Sequence, residues 1–237
     1  MDYNMVAAEY DAYSKDATSD WLIGYPRVME LLEPVKGRRI LDYGCGTGKV
    51  SKKFRDKGAR VIGVDVSLPM LDIAKKDDAS DIDYRHIASG NMDFLEEASV
   101  HDAFAAFVFC NVDTRAAVVA IMRNVFRLLK PGGRFVVLNA NWEDCNGREF
   151  ISYHFDRVEG LVSGQKVGLV LKSATSLRIE NYFWSDGDYR SMLEEAGFHG
   201  VSCHKPLAGG DGVEWQGEDK CPLFVIFEAR KELVACQ

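Results

Sequence analysis

The chain has 237 residues, of which 47% are hydrophobic and 27% charged, and these values are typical of one globular domain that can bury a core and a ligand pocket. The formal net charge of −7 disfavours a nucleic-acid partner, because such proteins usually carry a basic surface that releases counterions from phosphates. The six cysteines form no CxxC pair and no zinc-type spacing, so we expect reduced thiols without a disulfide framework or a metal site.

The sequence shows no targeting or membrane segment. Its first residues, MDYNMV, have neither the basic region nor the apolar region of a signal peptide, and the longest apolar run, AFAAFVFCNV at 103–112, is too short to cross a bilayer. These features predict a cytoplasmic protein that is not bound to a membrane and has a small-molecule partner.

Strand-like and helix-like patterns alternate along the first part of the chain. After a helical pattern that ends at Pro34, the sequence predicts strands at 39–42, 60–65, 82–86, 104–110 and 134–140. The intervening patterns predict helices at 50–58, 69–76 and 114–129. This alternation implies right-handed βαβ crossovers and a doubly wound α/β fold, in which ligands bind at the carboxyl ends of the strands.

A different pattern follows the fifth predicted strand. Two segments, KVGLVLKS and SLRIENYFWS, have period-two character and predict short antiparallel strands in an inserted flap. The regular pattern then resumes with a predicted helix at 188–196 and strands at 201–204 and 223–229. We therefore expect a single domain over 1–237, with a ligand-binding core at about 20–140, the flap at about 141–184 and C-terminal strands at about 185–230.

A glycine-rich loop, ILDYGCGTGKVS at 40–51, connects the first predicted strand to the helix after it. A phosphate-binding P-loop would need Ser or Thr after Lys49, but Val50 stands there, and Tyr43 occupies the first glycine position. The dinucleotide fingerprint GxGxxG is matched poorly, because its third glycine falls on Lys49 or Ser51. The P-loop motif is therefore excluded, whereas the dinucleotide fingerprint stays open as a poor match.

The loop and two later features resemble a class I S-adenosylmethionine (SAM) dependent methyltransferase. These features are the run from Asp42 to Gly48, the acid Asp65 at the end of the second predicted strand, and LKPGGRF at 129–135. The resemblance covers nearly the whole chain and implies a Rossmann-like, mostly parallel seven-stranded sheet. It also implies SAM as cofactor and S-adenosylhomocysteine as its product.

The chemistry of SAM agrees with this resemblance. Glycines let the backbone approach the cofactor without a Cβ atom in the way. The start of the following helix offers N–H groups to the SAM carboxylate, and Asp65 can accept hydrogen bonds from both ribose hydroxyls, as an acid does in dinucleotide sites.

The resemblance also assigns the remaining cofactor site. The segment 89–93 would border adenine, with Asn91 where the family often has Asp and the Met92 amide facing a ring nitrogen. Tyr10 would pack over the methionyl end. The full set of cofactor-binding candidates is Tyr10, Asp42, Tyr43, Gly44, Cys45, Gly46, Gly48, Asp65, Val66, Met70, Asn91, Met92 and Asn111.

The methyl acceptor is less well defined by the sequence. Methyl transfer from a sulfonium requires a positioned nucleophile more than a catalytic triad. The sequence CNVD at 110–113 stands where nucleic-acid and protein amino-methyltransferases carry an NPPY-like motif, so a nitrogen or oxygen of a small metabolite is the predicted acceptor. The segment 179–198 is similar to the toxoflavin-synthase-like (methyltransferase type 11-like) branch. The candidate base is His154, and the candidate acceptor-binding residues are Tyr13, Tyr153, Tyr182 and Trp184.

Two other functions remain compatible with the sequence. An NAD(P)-binding oxidoreductase has a similar fold, and a SAM-binding module without turnover has the same cofactor site. The sequence leaves open the identity of the acceptor and the choice among N-, O- and C-methylation. It also leaves open the oligomeric state, for which a homodimer is one option.

Overall fold

The computed structural model describes residue 4 and residues 7–76, 81–87, 91–173, 176–210 and 212–233. The strands in chain order are β1 Arg39–Tyr43, β2 Arg60–Asp65, β3 Asp83–His86, β4 Val100–Ala106, β5 Leu129–Ala140, β6 Tyr153–Phe155, β7 Lys166–Leu171, β8 Leu177–Tyr182, β9 His199–His204 and β10 Phe224–Arg230. The helices are α1 Ala7–Asp16, α2 Tyr25–Leu32, α3 Lys49–Asp56, α4 Leu68–Lys76, α5 Arg115–Leu128, α6 Trp142–Cys145 and α7 Asp186–Glu195, with a π-helical turn at Asp20–Gly24 and a 3₁₀ turn at Phe109–Asn111.

The main sheet has seven strands in the order β3-β2-β1-β4-β5-β10-β9. The five strands from β3 to β5 are parallel, whereas β10 is antiparallel to both of its neighbours. The strand order reverses between β1 and β4, and such a switch point opens a crevice at the carboxyl ends of the strands. The predicted doubly wound, mostly parallel seven-stranded fold is confirmed.

Apolar side chains fill both faces of this sheet. In β1, Ile40 and Leu41 point to opposite faces and belong to separate buried clusters. The cluster around Ile40 includes residues of α2, α3 and the flap, and the cluster around Leu41 includes residues of α5 and α7. Burial on both faces explains why the parallel strands appear as continuous apolar runs in the sequence.

The predicted flap contains α6 and a separate antiparallel sheet in the order β6-β7-β8. Leu169 of β7 pairs with Phe155 on one side and Ile179 on the other, and all three are buried in the cluster around Ile40. Alternate residues, including His154, lie on the exposed face of this sheet. The flap is thus held against the main sheet by one apolar face.

The predicted limits of the fourth strand were wrong, because that strand is β4 at Val100–Ala106 and not 104–110. The chain leaves the strand at Phe107, where φ is +57°, and continues into the 3₁₀ turn. The apolar run extends past this point, so hydrophobicity alone does not mark the end of the strand.

The helix predicted at 188–196 begins earlier, with Asp186 as its first residue. Ser185 and Asp188 form a capping box: the Ser185 hydroxyl accepts a hydrogen bond from Asp188 N, and the Asp188 carboxylate accepts one from Ser185 N, both at 3.1 Å. None of the helices in the described ranges combines the length and the apolar character that a membrane span requires.

Candidate active site

A cavity of about 240 Å³ opens at the carboxyl ends of β1, β2 and β4. The glycine loop between β1 and α3 forms its floor, and α1 together with the π-helical turn covers it from the other side. Predicted cofactor residues that line it are Tyr10, Asp42, Tyr43, Gly44, Cys45, Gly46, Asp65, Val66, Met70 and Asn111. The structure therefore brings most of the predicted cofactor set to one place.

The three glycines of the loop have two different environments. A Cβ atom at Gly44 would collide with Val108 Cγ2, and one at Gly48 would collide with the Tyr84 hydroxyl. A Cβ atom at Gly46, where φ is +52°, would meet no protein atom within 4 Å. Gly44 and Gly48 are thus required by internal packing, whereas the missing side chain of Gly46 leaves open space beside the cavity.

Asp65 connects the loops that follow β1 and β2. Its Oδ2 accepts a hydrogen bond from Gly46 N at 2.8 Å, and its Oδ1 accepts one from Ser67 N at 2.8 Å. Burial raises the pKa of Asp65, and the hydrogen bonds from backbone N–H groups act in the opposite direction. Each carboxylate oxygen has a further lone pair, so the group can hold the loop in place and still accept hydrogen bonds from a diol.

Asp42 lies below the glycine loop and is 2% exposed. Ser51 of α3 donates a hydrogen bond to its Oδ2 at 2.5 Å. Burial raises the pKa of Asp42 to about 7, with a further increase from the nearby charge of Asp65. The contact joins the end of β1 to the first turn of α3 and so fixes the loop between them.

Lys49 joins α1 to the glycine loop. Its Nζ forms an ion pair with Asp11 Oδ1 at 2.9 Å and also donates to Asp11 O at 2.6 Å and to the Ser14 hydroxyl. Burial favours a higher pKa for Asp11, but hydrogen bonds with Lys49 and Lys15 outweigh it and lower that pKa. Sequence reasoning considered Lys49 only as a P-loop lysine and missed this contact, which holds α1 over the cavity.

Three predicted cofactor residues lie outside the cavity lining. Gly48 packs against Tyr84, Met92 is buried in the cluster around Leu41, and Asn91 is exposed and donates to Asp93 at 2.7 Å. Positions 89 and 90 of the predicted adenine segment lie outside the described residues. Cofactor contacts for Asn91 and Met92 therefore stay predictions.

A second cavity of about 20 Å³ lies between the flap sheet and the loop after β4. Tyr10 and Phe107 line both cavities, so the two spaces adjoin. The remaining lining residues are Tyr13, Cys110, Ala140, Tyr153, Leu169, Leu171, Ile179 and Asn181. Two predicted acceptor-binding residues, Tyr13 and Tyr153, are brought together here although they are far apart in the sequence.

The other predicted acceptor residues line neither cavity. Trp184 is buried and its Nε1 donates to Val112 O at 3.3 Å. The ammonium nitrogen of Lys166 lies over the Tyr182 ring, 5.8 Å from the ring centroid. The side chain of His154 is 46% exposed on the outer face of the flap, 3.9 Å from Glu149. The structure thus places the predicted base away from both cavities.

Two polar residues near the second cavity were missed by sequence reasoning. Asn181 of β8 donates from Nδ2 to Asn111 Oδ1 at 3.2 Å, which connects the flap to the loop after β4. Asp20 is buried and accepts a hydrogen bond from the Tyr153 hydroxyl at 2.7 Å. No local sequence signal marks either contact, because their partners are distant along the chain.

Known proteins resemble this chain in sequence and in fold. Residues 41–137 match the family model described as a methyltransferase domain. The chain is 33% identical over 211 residues to N-demethylindolmycin N-methyltransferase of Streptomyces griseus. The aligned region covers 84% of this chain and 89% of that protein. It is 29% identical to demethylmenaquinone methyltransferase of Clavibacter sepedonicus, covering 75% and 71% of the two chains.

The solved structure of an S-adenosylmethionine dependent methyltransferase from Mesorhizobium loti has the same fold. Its TM-score is 0.64 at 19% identity, and the match covers 90% of this chain and 97% of that one. This fold, with a glycine-loop cavity at the carboxyl ends of the strands, is typical of Rossmann-like proteins that bind an adenosine-containing cofactor. Within this class, the chain belongs to the SAM-dependent methyltransferases. The predictions of an enzyme of this family and of SAM as its cofactor are confirmed.

Proposed function

We propose that this methyltransferase holds SAM in the larger cavity and transfers its methyl group to a nitrogen or oxygen atom of a small metabolite in the second cavity. The observation that carries this proposal is the junction of the two cavities at Tyr10 and Phe107. Asp65 would hold the ribose of SAM, and Tyr10 and Phe107 would border the methyl group that SAM supplies. The flap then covers the acceptor.

The residues of the larger cavity fit SAM. The open space at Gly46 admits a ligand atom that any side chain would displace. The Asp65 carboxylate, already oriented by Gly46 N and Ser67 N, has lone pairs for the two ribose hydroxyls. Tyr10 covers the cavity from α1. Bound SAM supplies an electrophilic methyl group on sulfur, and the chain orients the acceptor toward it and excludes water.

A small acceptor is supported by the size and composition of the second cavity. A volume of about 20 Å³ accommodates a functional group of one or two heavy atoms, and its walls are mostly aromatic and aliphatic. The S. griseus relative is named as an N-methyltransferase of a small molecule, which favours nitrogen over oxygen as the methylated atom. We assign no role in the reaction to His154, since it lines neither cavity.

Isothermal titration calorimetry with SAM, S-adenosylhomocysteine, NAD and NADP tests the cofactor site. We expect the first two ligands to bind and the two dinucleotides not to bind. Transfer of a labelled methyl group from SAM to compounds in a metabolite extract then tests catalysis. Binding of NAD in preference to SAM, or SAM binding without any methyl transfer to any extract, contradicts the proposal.

We also propose that the enzyme works in the cytoplasm on a soluble metabolite and has no nucleic-acid partner. The net charge of −7 supports the second point, because phosphate backbones repel an acidic surface. A homodimer is one option for the assembly, and size-exclusion chromatography with light scattering measures it.

A further inference from the structure

A buried carboxylate without a cationic partner lies behind the second cavity. Asp20 is 1% exposed and begins the π-helical turn. Its Oδ1 accepts a hydrogen bond from the Tyr153 hydroxyl at 2.7 Å, and its Oδ2 accepts one from the Tyr13 hydroxyl at 3.5 Å. Within the described ranges, no lysine, arginine or histidine forms an ion pair with it. Burying such a carboxylate is costly, so packing alone does not explain its presence.

The two tyrosines connect Asp20 to the second cavity. Tyr13 and Tyr153 line this cavity, and their rings meet edge to face with centroids 6.4 Å apart. Tyr10, whose ring centroid is 6.1 Å from that of Tyr13, and Phe107 complete an aromatic wall. A phenol that donates a hydrogen bond to a carboxylate becomes more electron-rich, so its ring attracts a cation more strongly.

Asn181 adds a polar group to the same cavity. Its Nδ2 donates to Asn111 Oδ1 at 3.2 Å and to Glu180 O at 3.3 Å. In the part of the chain that the structure describes, its Oδ1 accepts no hydrogen bond. An amide oxygen at this place can accept a hydrogen bond from an N–H group of a ligand.

We propose that these residues form a cage for the nitrogen of an aliphatic amine acceptor, with Asp20 as a positioning residue that acts through Tyr13 and Tyr153. The inference rests on the proposed function and names its substrate class. The amine gives its proton to bulk water, enters the cage as the free base and attacks with its lone pair: the C–N bond forms, the C–S bond breaks and sulfur keeps the electron pair. Positive charge therefore leaves sulfur and develops on nitrogen, inside the cage, and the proton of the product ammonium passes to water after release.

The aromatic walls and the carboxylate behind them stabilise this charge where it develops, which favours the transition state over the neutral amine. An alcohol is a poorer fit, because near neutral pH water deprotonates part of an aliphatic amine but not an alcohol, and no described basic side chain lines the second cavity to deprotonate it there. The cage thus selects for amines.

The charge of Asp20 makes cation binding dependent on pH. Burial raises the pKa of Asp20 to about 7, and the two tyrosine hydrogen bonds act in the opposite direction. Burial also raises the pKa of Cys110 to about 12, and keeps the pKa above its usual range for Tyr13, Tyr25 and Tyr153. On the other side of the turn, Glu218 accepts a hydrogen bond from the Ser19 hydroxyl at 3.0 Å. We expect the cage to bind a cation more tightly as pH rises through about 7.

The test uses methylammonium chloride as the probe and methanol as its uncharged control, with the protein saturated with S-adenosylhomocysteine. Binding is followed by the proton NMR shift of the probe methyl group, measured at one pH below and one pH above the Asp20 pKa of about 7. Wild-type protein should bind methylammonium and not methanol, and more tightly at the higher pH. Asp20→Asn should weaken this binding about tenfold or more and remove its pH dependence.

Two further variants separate the cage from general effects on stability. Tyr153→Phe keeps the ring and removes the hydrogen bond to Asp20, so it should also weaken methylammonium binding. Tyr189→Phe is the control, because Tyr189 is buried against Phe227 in the cluster around Leu41 and lines neither cavity. It should bind the probe as the wild type does.

The outcomes distinguish this inference from the proposed function. Equal methylammonium affinity in wild type, Asp20→Asn and Tyr153→Phe, with S-adenosylhomocysteine bound normally, refutes the cage and leaves the methyltransferase site intact. Labelled methyl transfer to a panel of alcohols but not to the matched primary amines also overturns it. Failure of the wild type to bind S-adenosylhomocysteine refutes the proposed function, and the inference with it.

Discussion

Replacement of Gly46 by alanine should weaken SAM binding while costing no more stability than the same change at Gly37. Both glycines have positive φ, +52° at Gly46 and +75° at Gly37, and a Cβ atom at either would meet no protein atom within 4 Å. Alanine in this backbone conformation costs about 1–2 kcal/mol. For a chain of this length, that cost lowers the melting temperature by about 2–8 °C.

The two positions differ in what occupies the open space. Gly46 lines the larger cavity, whereas Gly37 lies in the turn between α2 and β1 and its N–H donates to Gly58 O. Carbon atoms pack no closer than about 3.5 Å, so a methyl group at position 46 displaces the ligand. We expect Gly46→Ala to weaken SAM at least about tenfold, which is about 1.4 kcal/mol.

Calorimetric titration with SAM and thermal melts of both variants measure these two effects separately. Gly37→Ala should lose stability to a similar extent as Gly46→Ala and bind SAM with wild-type affinity. Wild-type SAM affinity in Gly46→Ala, or an equal loss of affinity in both variants, would refute the assignment of the open space to the cofactor.

Three further predictions concern the two cavities and their carboxylates. Asp65→Ala should lower the SAM affinity roughly 10- to 100-fold in calorimetry, because hydrogen bonds to a charged group contribute about 1.5–3 kcal/mol. The control is Asp72→Ala, on the exposed side of α4, and an equal loss of SAM affinity there contradicts the role of Asp65. Burial raises the pKa of Asp42 from 3.8 to about 7, so the stability that protonated Asp42 contributes is complete below pH 3.8 and is lost as pH rises through about 7. Asp42→Asn should reduce this loss of unfolding free energy by up to a few kcal/mol in urea unfolding. An unchanged pH dependence of stability counts against a neutral Asp42. Ala140→Leu should fill the second cavity and abolish methyl transfer while SAM affinity stays unchanged. Ala120→Leu, on the exposed side of α5, should change neither methyl transfer nor SAM affinity. Normal turnover in Ala140→Leu would place the acceptor elsewhere.

Local sequence signals located the larger cavity, in which we propose that SAM binds. The apolar run of β1, the glycines after it and the acid that ends β2 lie within 26 residues, at 40–65, and each follows from short-range physics. Glycine is selected where a side chain has no room, as the contacts of Gly44 with Val108 and of Gly48 with Tyr84 show. The parallel pairing of β1 with β2 then places Asp65 beside the loop.

The sequence indicated less well which residues face the acceptor. Period two in the flap strands predicts that alternate residues share a face, but it does not state which face packs inward. The pairing of Tyr153 with Leu171 puts Tyr153 on the buried face and His154 on the exposed one. The sequence therefore indicates His154 as a base, although the sheet turns this position toward solvent.

The sequence by itself determined the fold class and the position of the glycine loop, because backbone sterics and strand periodicity act between residues close in the chain, and its motifs resembled the family to which the chain belongs. Tertiary structure alone decided the second cavity. Asp20 and Tyr153 are 133 residues apart, and Asn111 and Asn181 are 70 apart. Such contacts depend on the summed packing of α1, the flap and the main sheet, and many weak apolar contacts leave no signature at any single position.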